Sequence, residues 1–329
     1  MKSRKLNWLL IWSILLVFIL FLMAKNYGFK SPGWDAGIVA QNAEYLANNE
    51  YEKLANYYYS RNPNNILITV FLSIFFRLAN LLKFINGYSL ILLFNCMIFS
   101  FTGYILYKTS VKLLPKKYAI FTYIAYLFLI GFSPWVVIHY SDQAGLWIVS
   151  LCFYLYLKIK EAEKLNHKLI YIFLFSLFET IGYYVKPQIF ILFIAAIVCE
   201  IIANAKKKIS FEDVKKICVG LLAIAIAIVT VKLVHSNSGF EIDNERRFGF
   251  THYLMMGFNE ETSGVFSIKD LVLSENCDTY AQRYSANITE FKNRVKNLGI
   301  SGILKLFGRK MIINYGDGTF AWGGEGGFF

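Results

Sequence analysis

The sequence predicts an all-α polytopic membrane protein with about seven transmembrane helices and two juxtamembrane helices in its first outer loop. Three observations carry that expectation. Hydrophobic residues make up 56% of the 329-residue chain and charged residues 17%, against about a quarter charged in a soluble domain. The apolar residues gather into stretches near the ~20 residues that a bilayer requires. The lysines fall in short runs between those stretches, as they do in cytoplasmic loops. That distribution turns the net charge of +12 away from a nucleic-acid partner.

The elements follow in order. Leu6–Ala24 comes after the basic Met1-Lys2-Ser3-Arg4-Lys5 and reads as a retained anchor, because its apolar core is long and no small-residue cleavage site follows. A long outer loop, Lys25–Gly87, is expected to hold helices near Ala36–Asn48 and Asn65–Lys83. Further spans are expected at Tyr88–Tyr107, Tyr118–Ser133, Ala144–Leu157, Leu169–Tyr184, Ile189–Ala205 and Ile217–Val234, the shorter ones helped by boundary Lys and Tyr side chains that snorkel. Basic clusters lie at Lys2, Arg4 and Lys5; at Lys108, Lys112, Lys116 and Lys117; at Lys158, Lys160, Lys164 and Lys168; and at Lys206, Lys207, Lys208, Lys215 and Lys216. Counting Ile66–Leu82 as a span would put the last three clusters outside. Laid along the outer interface instead, with Arg77 and Lys83 interrupting its apolar run, it leaves every cluster inside and Asp35, Asp142 and Lys186 outside.

Residues 1–235 are therefore expected to form the transmembrane module and 236–329 an extracytoplasmic region. Within the latter, Tyr280, Tyr284, Ile288, Phe291, Val295 and Leu298 recur at helical spacing. The aromatic, glycine-rich end Tyr315–Phe329 reads as a loop cut short, in a truncated product or a fragment of a longer protein. The five cysteines show no metal spacing and no disulfide framework.

Chemistry is expected where polar residues stand beside apolar ones, since a carboxylate next to hydrocarbon is costly unless it is used. Asp35, in Trp34-Asp35-Ala36-Gly37, reads either as a helix cap or as a base for a sugar hydroxyl. Asp142, in Tyr140-Ser141-Asp142-Gln143, reads as a cap or as its acidic partner. His139, Tyr140 and Gln143 add groups that hold a sugar. With His139 the two aspartates offer ligands to a divalent cation, Mg²⁺ or Mn²⁺, and whether a metal is used stays open. Arg61, Asn62 and Asn64, in Arg61-Asn62-Pro63-Asn64-Asn65, suit a phosphate or sugar, or simply a proline-directed turn. Lys186 reads as a phosphate contact or a snorkelling lysine, and Glu179 lies one face-repeat earlier. Arg246, Arg247, His252 and Asn259, in an aromatic stretch, would cover a lipid phosphate or graze the membrane as a structural loop.

Taken in order, the early anchor, Trp34-Asp35 in the first loop, Arg61–Asn65 opening an interfacial helix, Ser133-Pro134 before Tyr140-Ser141-Asp142, and Lys186-Pro187 resemble the GT-C superfamily of membrane glycosyltransferases. That superfamily includes protein O-mannosyltransferases and lipid A aminoarabinose transferases. The resemblance covers roughly residues 1–235, and His252–Asn259 with Met255-Met256-Gly257 is similar to GT-C-like membrane proteins of Gram-positive bacteria. It implies a polyprenyl-phosphate sugar as donor, a cell-envelope glycan or lipid as acceptor, and an active site on the outer face of the cell membrane. Asp35 matches the first-loop catalytic acid, Asp142 the second-loop acid, and Lys186 a basic residue before the next helix. Arg61–Asn65 departs from the His-Pro-Pro or Tyr-Pro-Pro motif that relatives often carry there. The rival expectations are a transporter or lipid flippase, for which only Glu179 and Glu200 offer intramembrane charge and no repeat appears, and a non-catalytic cell-envelope assembly protein.

Overall fold

The computed structural model describes residues 8–27 and 34–315. Lys2, Arg4 and Lys5 and the end Gly316–Phe329 lie outside the described residues. Among those described, every regular element is a helix: α1 (Trp8–Tyr27), α2 (Asp35–Asn48), α3 (Asn56–Arg61), α4 (Asn65–Leu82), α5 (Gly87–Leu113), α6 (Lys116–Tyr126), α7 (Ser141–Glu161), α8 (Leu165–Val185), α9 (Ile191–Asn204), α10 (Phe211–Ser236), α11 (Gly249–Gly257), α12 (Ile268–Glu275) and α13 (Tyr280–Tyr315).

Local chemistry sets the boundaries. α2 and α4 stop at Asn49 and Lys83, both left-handed with φ near 60°, which ends a helix by turning its last carbonyls to new donors. Asn86 caps α5 by accepting from Ser89 N at 2.8 Å. Ser210 and Asp213 form a reciprocal capping box at the head of α10.

Two compact units result: the described residues of 1–54 with Asn64–Phe240, and Ala55–Pro63 with the described residues of 241–329. Residues 55–63 join the second unit although they lie far from the rest of it in sequence. Backbone amides of the later stretch donate to side chains of the earlier one. Glu241 N donates to Asn56 Oδ1 at 3.2 Å, and Asp243 N to Ser60 Oγ at 2.9 Å.

In the first unit α5 and α7 run side by side in one direction. Phe101 meets Trp147 near the middle, and Lys112 meets Glu161 at the far end. Lys160 of α7 also reaches Glu200 of α9. The lysine-rich ends of α5, α7 and α9 thus share one end of the bundle. At the other end Asn95 of α5 is level with His139, just before α7 (2.9 Å). Gly87 lies eight residues earlier on α5, about 12 Å further from the lysines.

α4 doubles back along that projecting part of α5, with Phe76 on Tyr88 and Phe71 on Phe94. α2 lies parallel to α4, since Asn80 meets Asn48 while the two N-terminal ends converge on Tyr140. Val39, Ala43, Ile68, Leu72, Phe76 and Ile91 form the core between them, and Tyr140 packs on it. Each of these side chains except that of Ala43 contributes about 1.5–3 kcal/mol when fully buried.

Among the described residues six helical stretches are long and apolar enough to cross a bilayer: Trp8–Lys25, Asn65–Leu82, Gly87–Leu113, Leu165–Val185, Pro187–Asn204 and Phe211–Ser236. Two expected spans differ. Tyr118–Ser133 becomes the eleven-residue α6 and a π-turn, Leu127–Gly131. Ala144–Leu157 is the apolar middle of α7, whose ends carry Asp142, Lys158, Lys160 and Glu161.

The second unit is held by buried polar groups. Arg294 pairs with the buried Asp270 at 2.7 Å. Arg283 donates to the carbonyls of Ser274 and Cys277 at 2.7 and 2.6 Å. α13 follows the expected helical stripe, but in its first part Arg283 and Asn287 are buried and Tyr284 is exposed. At Gly299, φ is 56° and the helix breaks in two.

Candidate functional site

Two carboxylates from distant segments meet around one tyrosine. Asp35 is the first residue of α2, behind an extended Trp34, and Asp142 is the second residue of α7, behind Tyr140. Neither helix start has a side-chain cap, so the capping alternative gives way. Both carboxylates nevertheless sit in a first turn, where the helix dipole favours negative charge.

The Tyr140 hydroxyl donates to Asp35 Oδ2 at 3.1 Å and accepts from Asn65 Nδ2 at 3.3 Å. Asn65 is buried at the head of α4, and its Oδ1 accepts from Asn64 at 3.1 Å. Trp34 stands edge-on to the Tyr140 ring, with centroids 5.5 Å apart. Burial first, then the Asp35 charge, raises the Tyr140 pKa far above its ordinary 10, and Asp142 adds to the shift. The hydroxyl is therefore a protonated donor at neutral pH.

Asp142 pairs with Lys186, which closes α8 in an extended conformation before Pro187. Two glycines set that approach. A Cβ on Gly145 would lie 2.7 Å from Ile189 Cδ1, and one on Gly182 would lie 2.6 Å from Ile189 Cγ2 and 3.2 Å from Ile148. Ile189 follows Lys186 by three residues, so its seating on both glycines fixes where Lys186 emerges. The pair is half-exposed and adds little to stability. Its effect is to hold a cation beside Asp142.

His139 and Gln143 face inward. The Asn95 amide nitrogen lies 2.9 Å from His139 Nδ1 and reaches the carbonyls of Val136 and Ile138 at 2.9 and 2.8 Å. Burial pushes the His139 pKa down to about 3, so the ring is neutral. Gln143 donates to Trp135 O at 3.2 Å. Both side chains brace the turn that carries Tyr140, and the expectation that they hold a sugar is corrected accordingly.

A divalent-cation site does not fit either. Among the described residues no three His, Cys, Asp or Glu side chains gather as ligands. Lys186 already answers Asp142, and His139 is turned to Asn95.

The remaining expected residues lie in the second unit, apart from Asn64. Arg61 pairs with Glu275, its guanidinium 4.7 Å from the Tyr57 ring and 5.4 Å from Phe248. Asn62 donates to Tyr58 O and accepts from Tyr253, each at 3.3 Å. His252 is buried on Phe248 with Nδ1 2.7 Å from Ser274 Oγ, and burial lowers its pKa to about 4. Asn259 donates to Asp270 at 3.0 Å. These four residues hold their own unit together, which replaces the ligand roles expected of them. Arg246 is exposed and pairs with Asp243 at 3.1 Å, and Arg247 is exposed beside it.

Sequence reasoning missed Asn65 and Asn95. Asn65 ends the Arg61–Asn65 motif, and Asn95 is an amide inside an apolar stretch, itself a signal that something needs it. No curated protein and no solved structure matches this chain. The profile of one family matches residues 2–329, and on that match the chain belongs to the family described as a conserved hypothetical integral membrane protein.

Proposed function

We propose that this protein is a GT-C-type membrane glycosyltransferase. It would move a sugar from a polyprenyl-phosphate donor to a cell-envelope glycan or lipid on the outer face of the cell membrane, with inversion. The observation that carries the reading is the convergence of Asp35, Tyr140, Asp142 and Lys186 at the bundle end opposite the lysine-rich helix ends. By the positive-inside rule the lysines face the cytoplasm, and the carboxylates then face outward.

Asp35 takes the proton of the acceptor hydroxyl. The hydroxyl oxygen bonds to the anomeric carbon as that carbon's bond to the donor phosphate breaks, and the electron pair leaves on the phosphate. The leaving group is already anionic, so it calls for a cation more than an acid, and Lys186 supplies one. Tyr140 takes one Asp35 oxygen and aims the carboxylate. Asp142, the counter-ion of Lys186 before the donor arrives, then positions the sugar.

Transfer from a labelled polyprenyl-phosphate sugar in membranes tests the reading. Asp35→Asn is expected to lose about 10²–10⁴-fold in rate with membrane insertion unchanged, and chelator is expected to leave the wild type unaffected. Normal turnover by the variant removes Asp35 as base. Absence of transfer by the wild type from such donors removes the reaction class. One observation favours a second reading, a transporter or flippase: Glu179 is fully buried beside Cys152, as carboxylates on ion paths are. Glu179→Gln separates the two, since it spares glycosyl transfer and abolishes transport.

A further inference from the structure

The second unit has a helix face that its own core leaves uncovered. Past the break at Gly299, α13 continues to Tyr315. Leu306 is fully buried, and Phe307 meets Phe258 with ring centroids 6.1 Å apart. Yet Ile300, Leu304, Phe307 and Met311, at intervals that make one helical stripe, are 82%, 65%, 46% and 61% exposed. Lys305 and Arg309 stand on the flank of that stripe. From Phe291 to Tyr315 the sequence holds Lys292, Arg294, Lys296, Lys305, Arg309 and Lys310 and no carboxylate. Asp270 and Glu260, from other segments, answer only Arg294 and Arg309 among the six.

We infer that residues 300–315 lie on a bilayer surface, with the stripe at the boundary of headgroups and acyl chains and Lys305 against anionic headgroups. Three points select lipid as the occupant. The chain belongs to an integral membrane family, so a bilayer is always at hand. The cationic flank complements anionic headgroups, and an aliphatic and aromatic stripe beside lysines is the composition of an interfacial helix. A second copy would present the same cations and repel.

The test uses the full chain in nanodiscs of phosphatidylglycerol and phosphatidylcholine, in a Cys199→Ser, Cys218→Ser, Cys277→Ser background. An environment-sensitive fluorophore is placed in turn on Leu304→Cys, Met311→Cys and Lys305→Cys. Nitroxide lipids are expected to quench the first two at a depth of about 5–10 Å, and aqueous iodide the third. Equal iodide quenching at all three overturns the inference. Protection from iodide without lipid quenching also overturns it, because protein then covers the stripe. In the unmodified chain, amide exchange across 300–311 is expected to slow when neutral discs are replaced by anionic ones, and unchanged exchange overturns the inference as well.

Discussion

Tyr140 donates to Asp35 and accepts from Asn65, so loss of one oxygen breaks two hydrogen bonds that join three segments. A hydrogen bond to a charged group is worth about 1.5–3 kcal/mol. Tyr140→Phe is therefore expected to lower turnover about 10–100-fold, less than Asp35→Asn does. Its signature is a fall in kcat with KM unchanged, because the bond aims the Asp35 carboxylate and does not hold the donor. An unchanged kcat would reduce Tyr140 to packing. His139 gives a second residue-scale outcome. Its folded pKa of about 3 lies below the ordinary 6.5, so the unfolded chain holds the extra proton between those values. Its contribution to stability is complete above about pH 6.5 and is lost as pH falls toward 3, at up to about 1.4 kcal/mol per pH unit. Melting temperature in detergent should fall across that window, and His139→Gln should flatten the fall.

At the scale of elements, α7 and α8 approach through Gly145, Gly182 and Ile189. Gly182→Val would drive its side chain into both Ile189 and Ile148, and overpacking of this kind costs about 1–3 kcal/mol. Gly145→Ala displaces only the mobile end of Ile189 and should cost less. Thermal unfolding checks the order, and equal effects would mean that Ile189 is not the wedge. The helices themselves are largely legible in the sequence. Ala36–Asn48 and Asn65–Lys83 were expected, and α2 and α4 run Asp35–Asn48 and Asn65–Leu82, because apolar periodicity stops at Asn49 and Lys83. Legibility ended where contacts between segments decide. No local pattern says that Asn95 will hold the turn before Tyr140, or that Arg283 and Asn287 rather than Tyr280 and Tyr284 will face inward on α13. Nor does one separate Asp35, which stays at the site, from His252 and Asn259, which are spent inside their own unit.

For the whole molecule, the question is which helices share the depth of the bilayer. α4 is long and apolar enough to cross one, so composition alone would make it a span. Its packing gives another answer. The lysine-rich ends of α5, α7 and α9 and the Asp142–Lys186 pair mark the two ends of α7, whose 21 residues rise about 31 Å, a hydrocarbon thickness. α4 begins beside Tyr140, at the carboxylate end of that interval. It then follows α5 from the level of Phe94 to that of Tyr88, further from the lysines. This geometry predicts that the turn at Phe84, 80% exposed, lies on the same side of the bilayer as Asp35. A spanning α4 would carry it to the opposite side. With Cys199, Cys218 and Cys277 replaced by serine, a membrane-impermeant maleimide should label Phe84→Cys in intact cells and Glu163→Cys only after permeabilisation. Silence of Phe84→Cys until permeabilisation would make α4 a span. It would also separate Asp35 from the lysine-poor side of the bundle, and the proposed outward site would fall with it.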